Sequence, residues 1–133
     1  MTRNIKITID STTNNENLVY INNINSIVNY ACDSIEIDCL EALSEQTHAS
    51  VINILLNKLR PKGKLIVSIY NPKIIAENFL ASTISNQEFL QFFINKQSLL
   101  SLEALYTFID FNSFDIIHLQ SMGHIMTLIV ERK

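Results

Sequence analysis

Alternating apolar and polar residues mark the strands in the first part of the chain. Isoleucines alternate with polar residues over 5–9 and the pattern stops at Asp10, which predicts a short strand with one buried face. An asparagine-rich stretch follows, with a second strand predicted over 18–24 and a stub of a third over 27–30. A further strand over 35–37 then leads into a loop or a short helix.

The middle of the chain changes from strand to helix spacing and back. Apolar residues recur at helical spacing from Thr47 to Leu59, which predicts an amphipathic helix that ends before Pro61. A tight turn at Gly63 leads into a continuous apolar run over 64–70. Such a run, bounded by turn residues, is typical of a strand covered on both faces.

Three helices and a hairpin complete the pattern. Asn71 is suited to cap a helix that starts at Pro72, and a capping box over 85–88 opens a second helix. A further helix is predicted over 102–109. Two strands about a turn at 122–123 close the chain and predict an antiparallel hairpin.

The order of these elements predicts the fold class. Three strands, a helix, a buried strand, helices and a hairpin indicate an α/β protein. We expect a Rossmann-like, open, mainly parallel twisted sheet with helices on both faces and an antiparallel C-terminal hairpin. With 133 residues, of which 47% are hydrophobic, the chain is predicted to form a single domain over 1–133.

Composition narrows the classes of partner. A net charge of -3 gives no reason to expect nucleic acid, and the basic cluster over 58–64 lacks interleaved aromatic residues. No apolar run approaches the roughly 20 residues of a membrane span, so a cytoplasmic protein is expected. Cys32 and Cys39 lack metal-ligand spacing, and we interpret them as reduced thiols with no metal site.

Glycine is scarce, which limits nucleotide binding. Gly63 and Gly123 are the only two glycines in the sequence. Glycine-rich phosphate loops need several glycines close together, because the backbone must approach the ligand. No such loop can be written in this chain.

The run "NKLRPKGKLIVSIYNP" resembles a segment of class I S-adenosylmethionine-dependent methyltransferases, which reads R-V-L-K-P-G-G-x-L-x-I-x-x-P-N. In that family a helix leads through a proline-glycine turn into the fifth strand. Residues 98–133 resemble the family's last helix and its reversed sixth and seventh strands, with Phe114 near the start of the sixth. The resemblance implies a methyltransferase fold and, in an active protein, S-adenosylmethionine as the cofactor.

The cofactor-binding half of the resemblance is degenerate. Where the family has L-N-L-G-C-G, this chain has Asp10, Ser11 and Thr12 in place of glycine, cysteine and glycine. The acidic residue that would hold the ribose hydroxyls falls on Asn23, which lacks a carboxylate. The segment before Ser34 is too short for the usual third strand. We therefore expect that no cofactor is bound; if one is, these four positions would contact it.

The family's L-E-H motif falls on 43–45, or on 40–42 if the alignment slips, and its histidine is missing from both. An acidic run at this place consists of Glu36, Asp38, Glu41 and Glu45. In an active enzyme Asp38, Glu41 or Glu45 would lie near the substrate, as ligand crevices form at the carboxyl edge of such sheets. A solvated acidic face is the favoured interpretation.

Histidine and serine give no clear catalytic group. We place His48 on the surface in a first helical turn, and we expect His118 and His124 to face each other across the hairpin as an ordinary pair. A nucleophilic serine would need a G-x-S-x-G turn, which is missing, and Ser68 falls inside the apolar strand.

Three hypotheses for function follow. The favoured one is a non-catalytic, methyltransferase-like interaction or scaffold module, as a homodimer or as the silent partner of an active subunit. The second is a minimal active methyltransferase. The third is a structural component of a larger assembly, for instance a viral one, whose interface would be Phe79, Phe89, Phe92 and Phe93. For these phenylalanines, burial in the core is the preferred assignment.

Overall fold

The computed structural model describes residues 3–10, 17–92 and 100–133, and these form one six-stranded sheet with helices. The strands are β1 (Asn4–Thr8), β2 (Leu18–Tyr20), β3 (Cys32–Ile37), β4 (Leu59–Tyr70), β5 (Phe114–Met122) and β6 (Ile125–Arg132). The α-helices are α1 (Glu45–Asn57), α2 (Pro72–Leu80), α3 (Asn86–Gln91) and α4 (Leu102–Thr107). Two 3₁₀ helices span Ile21–Ser26 and Leu40–Ala42.

The sheet has the order β2-β1-β3-β4-β6-β5. The first four strands in this order run parallel, and β6 lies antiparallel between β4 and β5. The predicted fold class is therefore confirmed: a mainly parallel α/β sheet that ends in an antiparallel hairpin.

One face of the sheet forms the core. The strand residues on it are buried: Ile5, Ile7, Ile35, Ile37, Leu65, Val67, Ile69, Leu128 and Val130. Apolar residues of α1 and α4, among them Leu55 and Leu105, belong to the same buried cluster. This burial is the main source of stability, at roughly 25 cal/mol for each Å² of apolar surface removed from water.

The opposite face of the sheet is more polar. A row of paired residues crosses it from Lys6 through Glu36 and Ile66 to Ile129, and none of the four is fully buried. Tyr70 lies on this face by strand alternation, and Phe92, just after α3, packs edge-on against its ring at 5.5 Å. The α2–α3 segment thus reaches this face at the carboxyl end of β4.

The asparagine-rich stretch departs from its prediction. The strand predicted over 18–24 ends at Tyr20 and continues as the first 3₁₀ helix. The predicted stub over 27–30 is no strand; Tyr30 takes a positive φ of 61°, and its N–H donates to the carbonyl of Asn57 at 3.2 Å. Asparagine competes for backbone hydrogen bonds, so turns replace strand here.

The helix and hairpin predictions hold with small shifts. The first α-helix starts at Glu45, two residues early, and stops at Asn57 because Leu59 already belongs to β4. Asn71 caps α2, and the capping box of Ser85 and Glu88 is present. The helix predicted over 102–109 ends at Thr107, and the hairpin turn lies at 123–124.

The tight glycine turn before the buried strand is instead a bulge within β4. Cys32 pairs with Leu59 and Ser34 pairs with Lys64, so β4 carries three extra residues between the two pairs. Lys62 takes a positive φ of 67° inside this bulge. A side chain at position 63 would bring its Cβ within 2.8 Å of the carbonyl oxygens of Cys32 and Arg60, which explains the glycine.

Within the described residues, no helix combines the length and the apolar character needed to cross a lipid bilayer.

Candidate functional site

The carboxyl ends of β1, β3 and β4 meet at one edge of the sheet, where α/β proteins commonly bind ligands. Asp10 lies at this edge after β1, is exposed, and donates its backbone N–H to the Thr8 hydroxyl at 3.0 Å. Ser11 and Thr12, the other two residues predicted for the first loop, lie outside the described residues.

The position predicted to meet a ribose is occupied by Asn23. It is exposed within the first 3₁₀ helix, and its carbonyl accepts a hydrogen bond from the Ser26 hydroxyl at 2.6 Å. Because β2 ends at Tyr20, the residues that follow the strand are Ile21, Asn22 and Asn23, and none of them is acidic. The end of β2 therefore has no carboxylate to accept hydrogen bonds from two sugar hydroxyls.

The burial of Glu41 contradicts the prediction that the acidic run forms a solvated face. Its side chain is only 3% exposed, in the second 3₁₀ helix. One carboxylate oxygen accepts the backbone N–H of Tyr70 at 2.9 Å, and the other accepts that of Leu100 at 3.2 Å. A buried carboxylate needs such donors to offset its lost hydration, and here they come from two distant segments.

The other acidic residues of the run are exposed, as expected. Asp38 follows β3 and forms an ion pair with Lys6 at 3.5 Å. Glu36 lies on the polar face of the sheet, and Glu45 starts α1. An exposed ion pair of this kind contributes at most about 1 kcal/mol.

A cavity of about 120 Å³ opens at this edge of the sheet. Its lining consists of Asp38, Glu41, Ser68, Ile69, Tyr70 and Ile125. It thus brings Asp38 and Glu41 together, and Glu45 is not part of it. The volume is below the roughly 300 Å³ at which small-molecule pockets begin.

Of the two carboxylates that line this cavity among the described residues, Asp38 is exposed and Glu41 is buried. Both oxygens of Glu41 already accept backbone hydrogen bonds, so this side chain is held in place and is poorly placed to act as a base. The chemistry available here is the binding of a small polar or cationic group.

His48 was expected on the surface, and that prediction is wrong. The side chain is fully buried, and its Nε2 lies 2.9 Å from the carbonyl oxygen of Leu40. The contact joins α1 to the second 3₁₀ helix and so helps to fix the position of Glu41. The buried face of α1 turns out to include this polar position beside Val51 and Ile52.

The two C-terminal histidines do not face each other. His118 pairs with Ile129 across the hairpin, and its Nε2 lies 3.1 Å from the side-chain oxygen of Gln120. His124 lies in the turn, where its Nε2 is 2.8 Å from the Asn78 amide nitrogen. The expected cross-strand pair is wrong because the turn falls at 123–124 and removes His124 from the ladder.

The predicted basic cluster is largely tied into the fold. Lys58 is buried and donates to the Asn29 side chain at 2.8 Å. Arg60 pairs with Asp33 at 3.0 Å, and Lys64 pairs with Glu131 at 3.8 Å. These charges therefore do not form a single open patch.

Thiols and serine offer no reactive group in the described part of the chain. Cys32 and Cys39 are both buried, and burial raises the pKa of the Cys32 thiol above its ordinary value. Ser68 is part-buried, with its hydroxyl 3.5 Å from that of Thr127. Across residues 3–10, 17–92 and 100–133, no three His, Cys, Asp or Glu side chains gather as metal ligands.

The phenylalanines predicted for the core are only partly buried. Phe79 and Phe89 stack on each other with ring centroids 4.4 Å apart. Phe92 contacts Tyr70 and lies 4.6 Å from the His124 ring. All three keep intermediate exposure and stand outside the main buried cluster, so their assignment to the core is wrong; Phe93 lies outside the described residues.

Comparison with known proteins rests on structure. The chain matches no protein-family model and no curated protein sequence. Solved structures match well: an S-adenosylmethionine-dependent methyltransferase from Mesorhizobium loti has a TM-score of 0.63 at 8% identity, covering 98% of this chain and 81% of its own. A second S-adenosylmethionine-dependent methyltransferase, from Archaeoglobus fulgidus, has a TM-score of 0.64 at 11% identity, and the match covers 96% of this chain and 75% of that protein.

This is the fold of class I S-adenosylmethionine-dependent methyltransferases. An O-methyltransferase family protein from Burkholderia thailandensis also matches, with a TM-score of 0.60 at 14% identity over 88% of this chain and 36% of its own. The chain thus spans less than half the length of some of the solved structures that it matches. At such identities the likeness establishes the methyltransferase fold.

Proposed function

We propose that this methyltransferase-fold protein does not bind S-adenosylmethionine and acts as a non-catalytic interaction module. The proposal rests on the end of β2. None of the three residues 21–23 that follow this strand is acidic, and Asn23 lies within the first 3₁₀ helix. The residues present therefore do not fit the ribose of the cofactor, because the charge-assisted acceptor is missing.

The neighbouring position supports the same proposal. Both carboxylate oxygens of Glu41 accept hydrogen bonds from backbone N–H groups, so this buried acid has a structural role. The cavity beside Glu41 has a volume of about 120 Å³, so it has room only for a small group. The chain retains the methyltransferase fold without these cofactor contacts. Such a fold can still present a surface that binds another protein.

Calorimetric titration with S-adenosylmethionine and S-adenosylhomocysteine tests the proposal, and thermal unfolding with excess ligand provides a second readout. We expect no heat of binding and no shift in Tm at millimolar ligand. Binding in the micromolar range, roughly -8 kcal/mol, would overturn the proposal and favour the active enzyme.

A minimal methyltransferase is the second candidate, and the position of Asp38 favours it. This exposed carboxylate lies at the mouth of the cavity, within reach of solvent and ligand. In that case Asp38→Asn would reduce methyl transfer while leaving cofactor binding unchanged, and Glu36→Gln, on the open face of β3, would serve as the matched control.

A further inference from the structure

The two edges of the described sheet differ greatly in length. The strand at one edge, β2, has three residues, and the strand at the other edge, β5, has nine. Within the described residues, the outer side of β5 has no neighbouring strand, so a row of backbone N–H and C=O groups faces outward. Such a row is a template for pairing with another strand.

The side chains of β5 leave this edge open. All residues from Ile117 to Met122 are exposed, and three of them are large and apolar: Ile117 at 46%, Leu119 at 45% and Met122 at 69%. Proteins usually protect such edges with lysine, proline or a bulge. Here the segment 116–122 contains no lysine, arginine, acid or proline, and its only protection of this kind is the bulge at Ile117.

Charge and symmetry select the partner for this edge. The segment 116–122 carries no formal charge, so it does not attract a charged partner. It can pair with an identical strand, because no like charges would lie opposite each other. In an antiparallel self-pair, Asp115 would lie opposite the neutral end of the other strand. Pairing of β5 with β2 of another copy would be head-to-tail and open-ended, and three residues offer too short a ladder.

We propose that β5 pairs antiparallel with β5 of a second copy about a two-fold axis, so that one sheet continues across a homodimer. The inference rests on the proposed function, in that it names the partner of the interaction module. Leu119 and Met122 would lie at this interface and lose their exposed apolar surface.

Sedimentation velocity at protein concentrations of about 0.1 mM tests the pairing. We expect a dimer for the wild type and at least a tenfold weaker dimer for Leu119→Lys. The matched control is Leu80→Lys, since Leu80 is 82% exposed and belongs to α2 and not to the β5 edge, and this variant should remain dimeric. Circular dichroism confirms that each variant is folded.

Cysteine substitution tests the geometry of the pair without a destabilising charge. Single cysteines at positions 118 to 122 should form a disulfide-linked dimer only near the two-fold axis, where Cα atoms of the two copies come within about 7 Å. Leu80→Cys should give no such product. The native cysteines are buried and do not compete.

A monomeric wild type, or a dimer that Leu119→Lys leaves intact and that no β5 cysteine links, would overturn the inference. Its failure is separate from that of the proposed function. If the protein is a monomer and does not bind S-adenosylmethionine, only the proposed β5 dimer is refuted. If it forms the β5 dimer and binds the cofactor, only the proposed loss of cofactor binding is refuted.

Discussion

The carboxylate of Glu41 accepts the backbone N–H of Tyr70 at 2.9 Å, which joins the second 3₁₀ helix to the end of β4. Its second oxygen accepts the N–H of Leu100, just before α4. One buried side chain thus connects three segments that are far apart in sequence. The edge of the sheet that would hold a ligand is therefore organised around a group with a structural role.

Replacement of Glu41 should destabilise the fold. Glu41→Ala removes the acceptor of two largely buried N–H groups, and an unsatisfied buried donor costs about 1 to 3 kcal/mol. We expect the free energy of unfolding to fall by about 2 to 4 kcal/mol in urea denaturation. Glu41→Gln should lose less, because its amide oxygen still accepts one of the two hydrogen bonds.

Glu45→Ala is the matched control for this experiment. Glu45 is an exposed acid in the first turn of α1, so its loss should change stability by less than about 0.5 kcal/mol. Equal stability of the Glu41→Ala and Glu45→Ala proteins would contradict the role given to Glu41.

Adjacent positions in the bulge of β4 should respond in opposite directions to substitution. Gly63→Ala would place a Cβ at 2.8 Å from two backbone oxygens, which cannot move freely, and we expect a loss of about 1 to 3 kcal/mol. Lys62 is exposed at a φ of 67°, a conformation that costs most residues about 1 to 2 kcal/mol. Lys62→Gly should therefore stabilise the protein by up to about 1 kcal/mol.

Thermal unfolding of both bulge variants measures this difference. Gly123→Ala provides the comparison, because its φ of 59° is strained for alanine but open space surrounds the added Cβ. A Gly63→Ala protein as stable as the wild type would show that the bulge relaxes easily, contrary to the close contacts with Cys32 and Arg60.

Local sequence patterns predicted most of the fold. The alternation over 5–9, the strand over 64–70 and the caps at Asn71 and Ser85 each depend on neighbours in sequence, and the structure confirms them. The prediction that the strand over 64–70 is covered on both faces is wrong, because residues 65–70 alternate between buried and partly buried. The bulge at 60–63 was missed because its cause is the carbonyl of Cys32 on the next strand. No pattern within one segment reveals such a contact.

The candidate site was harder to predict for the same reason. Glu41 belongs to an acidic run in the sequence and His48 falls in the first turn of a predicted helix, so a solvated position was inferred for both. Their partners Tyr70, Leu100 and Leu40 become neighbours only when the sheet and α1 have formed. The L-E-H comparison at 40–42 was the one available signal, since it placed Glu41 at a position that the methyltransferase pattern reserves for glutamate.

Stability above about pH 9 should depend on Cys32. Burial is the main cause of its raised pKa, Asp33 adds to it, and Arg3 and Lys58 oppose it. The folded state therefore holds the thiol proton more tightly than the unfolded chain does. The resulting stabilisation is complete below the ordinary thiol pKa and is lost as the pH rises through the higher folded pKa.

Thermal unfolding of the wild type and Cys32→Ala between about pH 8 and pH 11 isolates this effect, because the two proteins differ only in the side chain at position 32. We expect the wild type to lose more of its Tm over this range. Parallel curves for the two proteins would rule out a raised pKa at Cys32.

Arg132 should couple to Tyr30 across the amino-terminal side of the sheet. Its guanidinium carbon lies 4.9 Å from the Tyr30 ring centroid and 4.8 Å from that of Phe114, and Nη2 donates to the Leu56 carbonyl at 2.7 Å. This carbonyl belongs to the last turn of α1, where a cation is favoured. Arg132→Leu should cost about 2 kcal/mol, because it removes both kinds of contact.

A double-mutant cycle with Tyr30→Leu separates the ring contact from the helix contact. Tyr30 is largely exposed, so its coupling to Arg132 should lie near the lower end of cation–π energies, at about 0.5 kcal/mol. The larger part of the Arg132→Leu loss should persist in the Tyr30→Leu background, since the hydrogen bond to Leu56 is independent of this ring. If the loss disappears in that background, the guanidinium acts through Tyr30 and the hydrogen bond to α1 contributes little.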